Sequence, residues 1–407
     1  APAIYSEGVA TLPYSTTPIK TQLRANIAPA PLFPNALGAT TLVTLSSTGT
    51  VDSYNAPRTS AWSSATSYVA GDTVRSGTTL YRCILGHTNQ PVTSTTYWVT
   101  SPLGFSAVIA GGNTSGTAVS VTGATMGGYV AAPSLSTSPY DAQAIFGTSS
   151  TPNLKNPDGT VSSAHSGSPN VDDTRISRSP YIPQFDIQSV SGGNLPNGTT
   201  YMPDNGYTLG VAPTPGTASS PLVYNITRSY TGGSYYSGLY LADTADVLII
   251  NGPVILNISG SYFGMGQGKI QINSGGSLEV YFSSSTQLYL GLSSGGGIDN
   301  QTNDPTKVFI TSNHATNTVN YHYLFAASGA LPFCGTIYMP NAFLTVANNS
   351  ACYGALSASN VRFTTVANMH YDTSLRTAGK IGTYIDNAYL LSDWRELTNP
   401  AERVTLP

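Results

Sequence analysis

The sequence predicts an all-β fold, specifically a parallel β-solenoid (β-helix) with long loop decorations and one small inserted β module. Three observations predict it. First, residues 335–375 state a short pattern twice. GTIY starts at Gly335 and GALS at Gly354, 19 residues on, each followed by small residues and then by apolar positions (Phe343, Leu344 and Val346; Val361, Phe363 and Val366). A period near twenty without a helix signature suits one turn of a solenoid. Second, alternating apolar pairs recur upstream. Val247/Ile249, Ile270/Ile272, Leu288/Leu290 and Val308/Ile310 begin 23, 18 and 20 residues apart, and Leu256/Ile258 and Leu278/Val280 keep a step of 22. Residues two apart on a strand share a face, so stacked pairs build interior ladders; Ile249, Ile258, Ile272, Val280, Leu290 and Ile310 are expected inward. Third, Gly, Ser and Asn fill the gaps, as at 273–277 and 293–297, where corners need small residues or positive φ. An antiparallel sandwich also gives short strands between turns, but two tracks with a common period favour the solenoid.

Residues 1–55 hold an N-terminal segment and the start of the solenoid, and 56–102 the inserted module. Residues 103–131 read as a further coil, with Val119 and Val121 in the alternating role. Residues 132–240 form a Pro/Ser/Gly-rich decoration. Its runs 148–156, 163–173 and 212–220 are loop-like, while Ile182, Phe185, Ile187, Val190, Leu222 and Tyr224 predict packing on the solenoid surface. Residues 241–375 are the main solenoid. Residues 376–407 are expected to cap it, the apolar run Tyr384, Ile385, Tyr389, Leu390 and Leu391 either closing an end or packing on a neighbour.

Only 9% of the 407 residues are charged and the net charge is −3, against about 25% charged in average soluble domains. No basic footprint marks a nucleic-acid or anionic-lipid partner, and no apolar run is long enough to span a membrane. The chain starts at Ala1 rather than Met, which leads us to expect that a leader or anchor has been removed, and with it an extracellular or cell-surface location. The three cysteines, Cys83, Cys334 and Cys352, make no disulfide framework. Aligning Gly335 with Gly354 sets Cys334 opposite Tyr353 and Cys352 opposite Phe333, so the two sulfurs project to opposite faces.

Residues 61–99 are compact and aromatic. The order Trp62, Tyr68, Gly71-Asp72, Val74, Gly77, Tyr81, Asn89-Gln90-Pro91 and Trp98 resembles the small chitin-binding-type carbohydrate-binding modules of families 5 and 12. The resemblance covers about forty residues and implies a polysaccharide partner, chitin-like or another glycan. Trp62, Tyr68, Tyr81 and Trp98 are the candidates to stack on sugar rings, and Asn89 and Gln90 to take hydroxyls. A module this small also needs its aromatic residues to build a core.

VDSY (51–54), GTIYMPNA (335–342), YGAL (353–356), MHYD (369–372) and DWREL (393–397) together look like the C-terminal region of pilus-assembly-type, type IV pilin-like surface proteins. That resemblance implies a surface or filament subunit and a homo-oligomer, and carries over no catalytic residue. The N-terminal apolar helix through which such proteins anchor or assemble is absent from this sequence.

Acidic residues are scattered rather than clustered with Lys or Arg, and no GxSxG sits in strand–turn–helix surroundings. We expect no enzyme activity, no cofactor and no metal. Asp299 and Asp304 are a calcium candidate, although a solvated, self-capped loop explains the same residues. The MHYD at 369–372 is expected to fix the edge of the last coil, with His370 and Tyr371 bonding backbone groups left unpaired there. The reading is a non-enzymatic structural or adhesive protein with glycan binding. The alternative is a secreted polysaccharide-active enzyme or a phage receptor-binding appendage that uses the same module for targeting.

Overall fold

A computed structural model of the chain describes residues 3–397 apart from 12, 14–16, 47, 122, 134–153, 157–175, 178–179, 194–200, 203–205, 211–215, 218–219, 283–285, 316–320, 326, 348–350 and 387–388. The expected runs at 148–156, 163–173 and 212–220 fall largely outside the described residues. What is described is all-β: short strands with 3-10 turns at Ala56–Arg58, Pro305–Lys307 and Thr373–Arg376. The sheets do not close on themselves.

Most pairing is parallel, in three ladders that the chain visits in turn. The first joins Leu222–Ile226, Pro253–Ile258, Ser277–Phe282, Val308–Ser312 and the leading parts of Phe333–Val346 and Ala351–Phe363. The second joins Ser234–Leu241, Tyr262–Met265, Gln287–Leu290, His322–Leu324 and the trailing parts of the same two long strands. The third joins Tyr207–Leu209, Val247–Ile250, Lys269–Ile272 and Gly297–Asn300. Alternation sends one face of each strand into a common core, where Leu256, Val280, Ile310, Ile337 and Leu356 lie in register and are buried. Gly335 and Gly354 are register partners. Gly354 has φ +133, and a Cβ there would sit 2.0 Å from the Gly335 carbonyl oxygen, so the repeated glycine marks a close approach of the two strands that leaves no room for a side chain.

The N-terminal strands stack on the end of this run. Leu37–Leu45 pairs with Ala351–Phe363, and Gly49–Tyr54 with Ala367–Asp372. Ala107–Gly111, Val119–Val121, Thr125–Met126 and Gly128–Ala131 then continue the ladders beyond them. Residues 180–193 run back along the outside of the first ladder. Carbonyls of Tyr181, Phe185, Ile187, Val190 and Gly192 accept in turn from Asn35, Tyr338, Asn313, Asn257 and Asn225. Outward Tyr338 is thus buried against Phe185, while outward Phe309 is buried beside Phe33, Tyr281 and Gly382, and Ile255 is buried as well.

Three details differ from the sequence reading. Ile249 is only half-buried, and Leu248 and Ile250 point inward instead. The track through 247, 270, 288 and 308 mixes ladders, since 287–290 belongs to the second and 308–312 to the first. Leu256 pairs with Val280 rather than Leu278, a shift of two that keeps both inward. The C-terminal strand Tyr389–Glu396 pairs antiparallel with Ile19–Pro29, itself paired with Ala3–Ala10. It thus joins a side sheet, and the edge of Ala367–Asp372 expected to need a cap is covered by Gly49–Tyr54.

Candidate carbohydrate-facing site

The inserted module leaves the ladders after Gly49–Tyr54 and returns at Ala107–Gly111. Its centre is the hairpin Thr73–Ser76/Thr79–Cys83, with Trp98–Val99 added on the Cys83 side. Tyr68, Val74, Cys83 and Trp98 form its core, with Trp62, Tyr81, Val92 and Tyr97 packed against them. Of the six predicted sugar contacts, Trp98 (2% exposed) and Tyr68 (5%) are thus interior. Trp62 and Tyr81 are half-buried, and Asn89 is exposed with φ +62. The indole N–H groups of Trp62 and Trp98 both donate to the Gln90 carbonyl, at 3.2 and 3.1 Å. The Tyr68 hydroxyl accepts from the Ser63 N–H and donates to the Ser63 carbonyl. The structure therefore brings Trp62, Gln90 and Trp98 together, with Trp62 and Tyr81 half-buried and Asn89 exposed beside them. Val69, Ile84 and Leu85 are exposed on the same module; composition alone did not separate them from core residues.

Buried carboxylates grip both ends of the module. Asp52 accepts from the Leu103 N–H through Oδ2 at 2.6 Å and faces His370 Nδ1 through Oδ1 at 2.7 Å. Asp372 accepts from the N–H groups of Ala56 and Ser374, both at 3.0 Å, and from the Ser374 hydroxyl at 2.7 Å. Burial pushes the Asp372 carboxyl above its usual range, an effect that these hydrogen bonds oppose. The guanidinium of Arg75, in the module hairpin, lies over the Tyr353 ring at 5.8 Å, and Tyr353 stacks on His370 at 4.8 Å. Contrary to expectation, the MHYD segment is not at an edge: its strand is paired on both sides. Tyr371 donates to the Phe33 carbonyl at 2.8 Å.

Asp299 pairs with Lys269 at 2.9 Å, and Asp304 caps the turn Pro305–Lys307 by accepting from the Thr306 N–H. Among the described residues no group of three or more His, Cys, Asp or Glu is placed to hold a metal ion. All three cysteines are free and buried. Burial raises each thiol, Cys334 to about 12, which keeps them protonated and poor nucleophiles.

The family model described as "Domain of unknown function (DUF7305)" matches residues 216–378. That span runs from the strand Leu222–Ile226 through the turn after Asp372, and it includes neither the module nor the N-terminal strands. No curated protein and no solved structure matches the chain.

Proposed function

We propose that the protein is a non-enzymatic scaffold of an extracellular or cell-surface assembly: a β-solenoid, pilin-like in its sequence motifs, that displays a carbohydrate-binding module. The observation that carries this reading is the attachment of the module. The backbone N–H of Ala56, at its start, is held by Asp372, and that of Leu103, just past its end, by Asp52; the two carboxylates project from neighbouring strands of the ladders. Such a mounting fixes the orientation of a small aromatic unit instead of tethering it on a mobile linker. The passage of the chain through three parallel ladders in repeating order supports the solenoid. The half-exposed faces of Trp62 and Tyr81 support a glycan as the ligand.

The test is incubation of the full chain with a panel of insoluble glycans, scoring both retention and newly formed reducing ends. Retention without new ends is expected. New reducing ends overturn the non-enzymatic reading, and failure to be retained on any glycan removes the module's proposed role.

A further inference from the structure

We propose that the outward face of the second ladder is a separate binding platform for a neutral, extended polysaccharide lying along the stack. Tyr240, Tyr289 and Tyr323 each sit between two inward residues, in Leu239-Tyr240-Leu241, Leu288-Tyr289-Leu290 and His322-Tyr323-Leu324. Alternation therefore places all three phenols outside. They form one register column: Tyr240 pairs with Gly264, Gly264 with Tyr289, and Tyr289 with Tyr323.

Gly264 decides how the column is used. A Cβ there would lie 3.0 and 3.3 Å from Cδ2 and Cε2 of Tyr240, and one at Gly266 would lie 3.2 Å from the Tyr240 hydroxyl. The Tyr240 ring thus lies across the neighbouring strand, covering backbone with one face and turning the other outward. Tyr262 flanks it at 6.3 Å and reaches Tyr289 at 6.4 Å, Tyr289 stacks on Tyr323 at 6.0 Å, and Tyr236 adjoins Tyr240 at 4.7 Å. These rings are all partly exposed, Tyr262 to 37%, whereas outward residues of the first ladder are packed by residues 180–193 and 382–384.

The strip is aromatic, with a single cation, Arg362, acting on Tyr323 at one end. Ser237, Ser261 and Gln287 border it, and Arg362 lies two register steps beyond Tyr323. Burial raises the phenols of Tyr240, Tyr289 and Tyr323, which remain hydroxyl donors. Aromatic faces edged by hydroxyls and an amide suit a pyranose ring, whose C–H face stacks while its hydroxyls bond; an anionic polymer would find counter-charge only at the Arg362 end. Tyr240 and Tyr289 are two strands apart, about 9.6 Å, close to the disaccharide repeat of an extended β-1,4-linked chain. The site is distant in sequence from the inserted module and does not depend on that module's binding sugar.

The test measures binding of cellohexaose and chitohexaose to the full chain by titration calorimetry. Tyr262→Ala with Tyr289→Ala should weaken the binding of at least one hexasaccharide about tenfold, as expected for two lost stacking contacts. Tyr262→Phe with Tyr289→Phe should stay within about threefold of the parent, and this second pair guards against a merely structural loss. Unchanged affinity in the alanine pair overturns the platform, as does failure of both hexasaccharides to bind the parent. Loss of all hexasaccharide binding in Trp62→Ala, with full binding in the alanine pair, assigns the ligand to the module and also overturns it.

Discussion

His370 Nδ1 lies 2.7 Å from Asp52 Oδ1, joining two strands whose residues are 318 positions apart in the chain. Asp52 is fully buried and His370 is 8% exposed. The same carboxylate holds the Leu103 N–H, so this contact ties together the N-terminal strands, the last ladder strand and the end of the module. Asp52→Ala strands an imidazole and a backbone donor at once. The expected cost is about 3 kcal/mol, read as a lower midpoint in denaturant unfolding, with earlier proteolytic cleavage around residues 100–105. An unchanged midpoint and cleavage pattern would show that the contact is not what fastens the seam.

Adjacent positions in Val247–Ile250 should respond oppositely to charge. Ile250→Asp places a carboxylate in the core beside Leu209 and Ile272 and should cost about 4 kcal/mol or more. Ile249 sits between Thr208 and Gln271 on the outward face, and Ile249→Asp should stay within about 1 kcal/mol of the parent. Thermal melts of the two variants decide the parity; the reverse order would put the strand one residue out of phase.

His322 points inward, and its Nδ1 accepts from the Leu288 N–H at 3.2 Å. Burial, reinforced by nearby His314, pulls its pKa down to about 3. A base with a depressed folded pKa contributes stability that is complete above its unfolded value, near 6.5, and is lost as pH falls toward 3. The slope over that window should be about 1.4 kcal/mol per pH unit. His322→Gln should flatten it, measured as denaturant midpoints at pH 7, 5.5 and 4; equal slopes in parent and variant would refute the assignment.

Asp372 has the opposite linkage. Its carboxyl is raised by burial, so stability is greatest below the ordinary carboxylate range and declines as pH rises through the raised value. Asparagine can keep the acceptor for Ala56 and Ser374 and still cap Thr373–Arg376. Asp372→Asn should therefore match or exceed the parent at pH 7, by up to about 1 kcal/mol, whereas Asp372→Ala should lose about 2 kcal/mol. An asparagine variant as unstable as the alanine one would show that the charge itself is required.

The parts of this fold legible in the sequence are those with a local trace. Gly335 and Gly354 predicted their own register because a close strand approach without room for Cβ repeats as glycine. The packed residues of 180–193 showed as isolated apolar side chains among prolines and serines. Parity failed at Val-Leu-Ile-Ile 247–250 because four consecutive apolar residues carry no alternation. The three ladders were mixed because all use the same aliphatic residues and are separated by loops of variable length. The stacking of Leu37–Leu45 on Ala351–Phe363 leaves no local mark at all. In the candidate site, the aromatic residues were visible but their roles were not, since a core tryptophan such as Trp98 and a ligand-facing one have the same sequence signature.

That stacking order also constrains biosynthesis. As the nascent chain leaves the ribosome N-terminus first, Leu37–Leu45 can meet Ala107–Gly111 and Val119–Val121 early, but its other edge stays open until Ala351–Phe363 has been made. An unpaired apolar strand edge is a site for aggregation while it waits. The strand that relieves it is made only after residues 46–350, and it pairs with Phe333–Val346 on one side and Leu37–Leu45 on the other. Because this one strand bridges both partners, losing Ala351–Phe363 would open two ladder edges at once, so a deletion there reaches the N-terminal strands despite their distance in sequence.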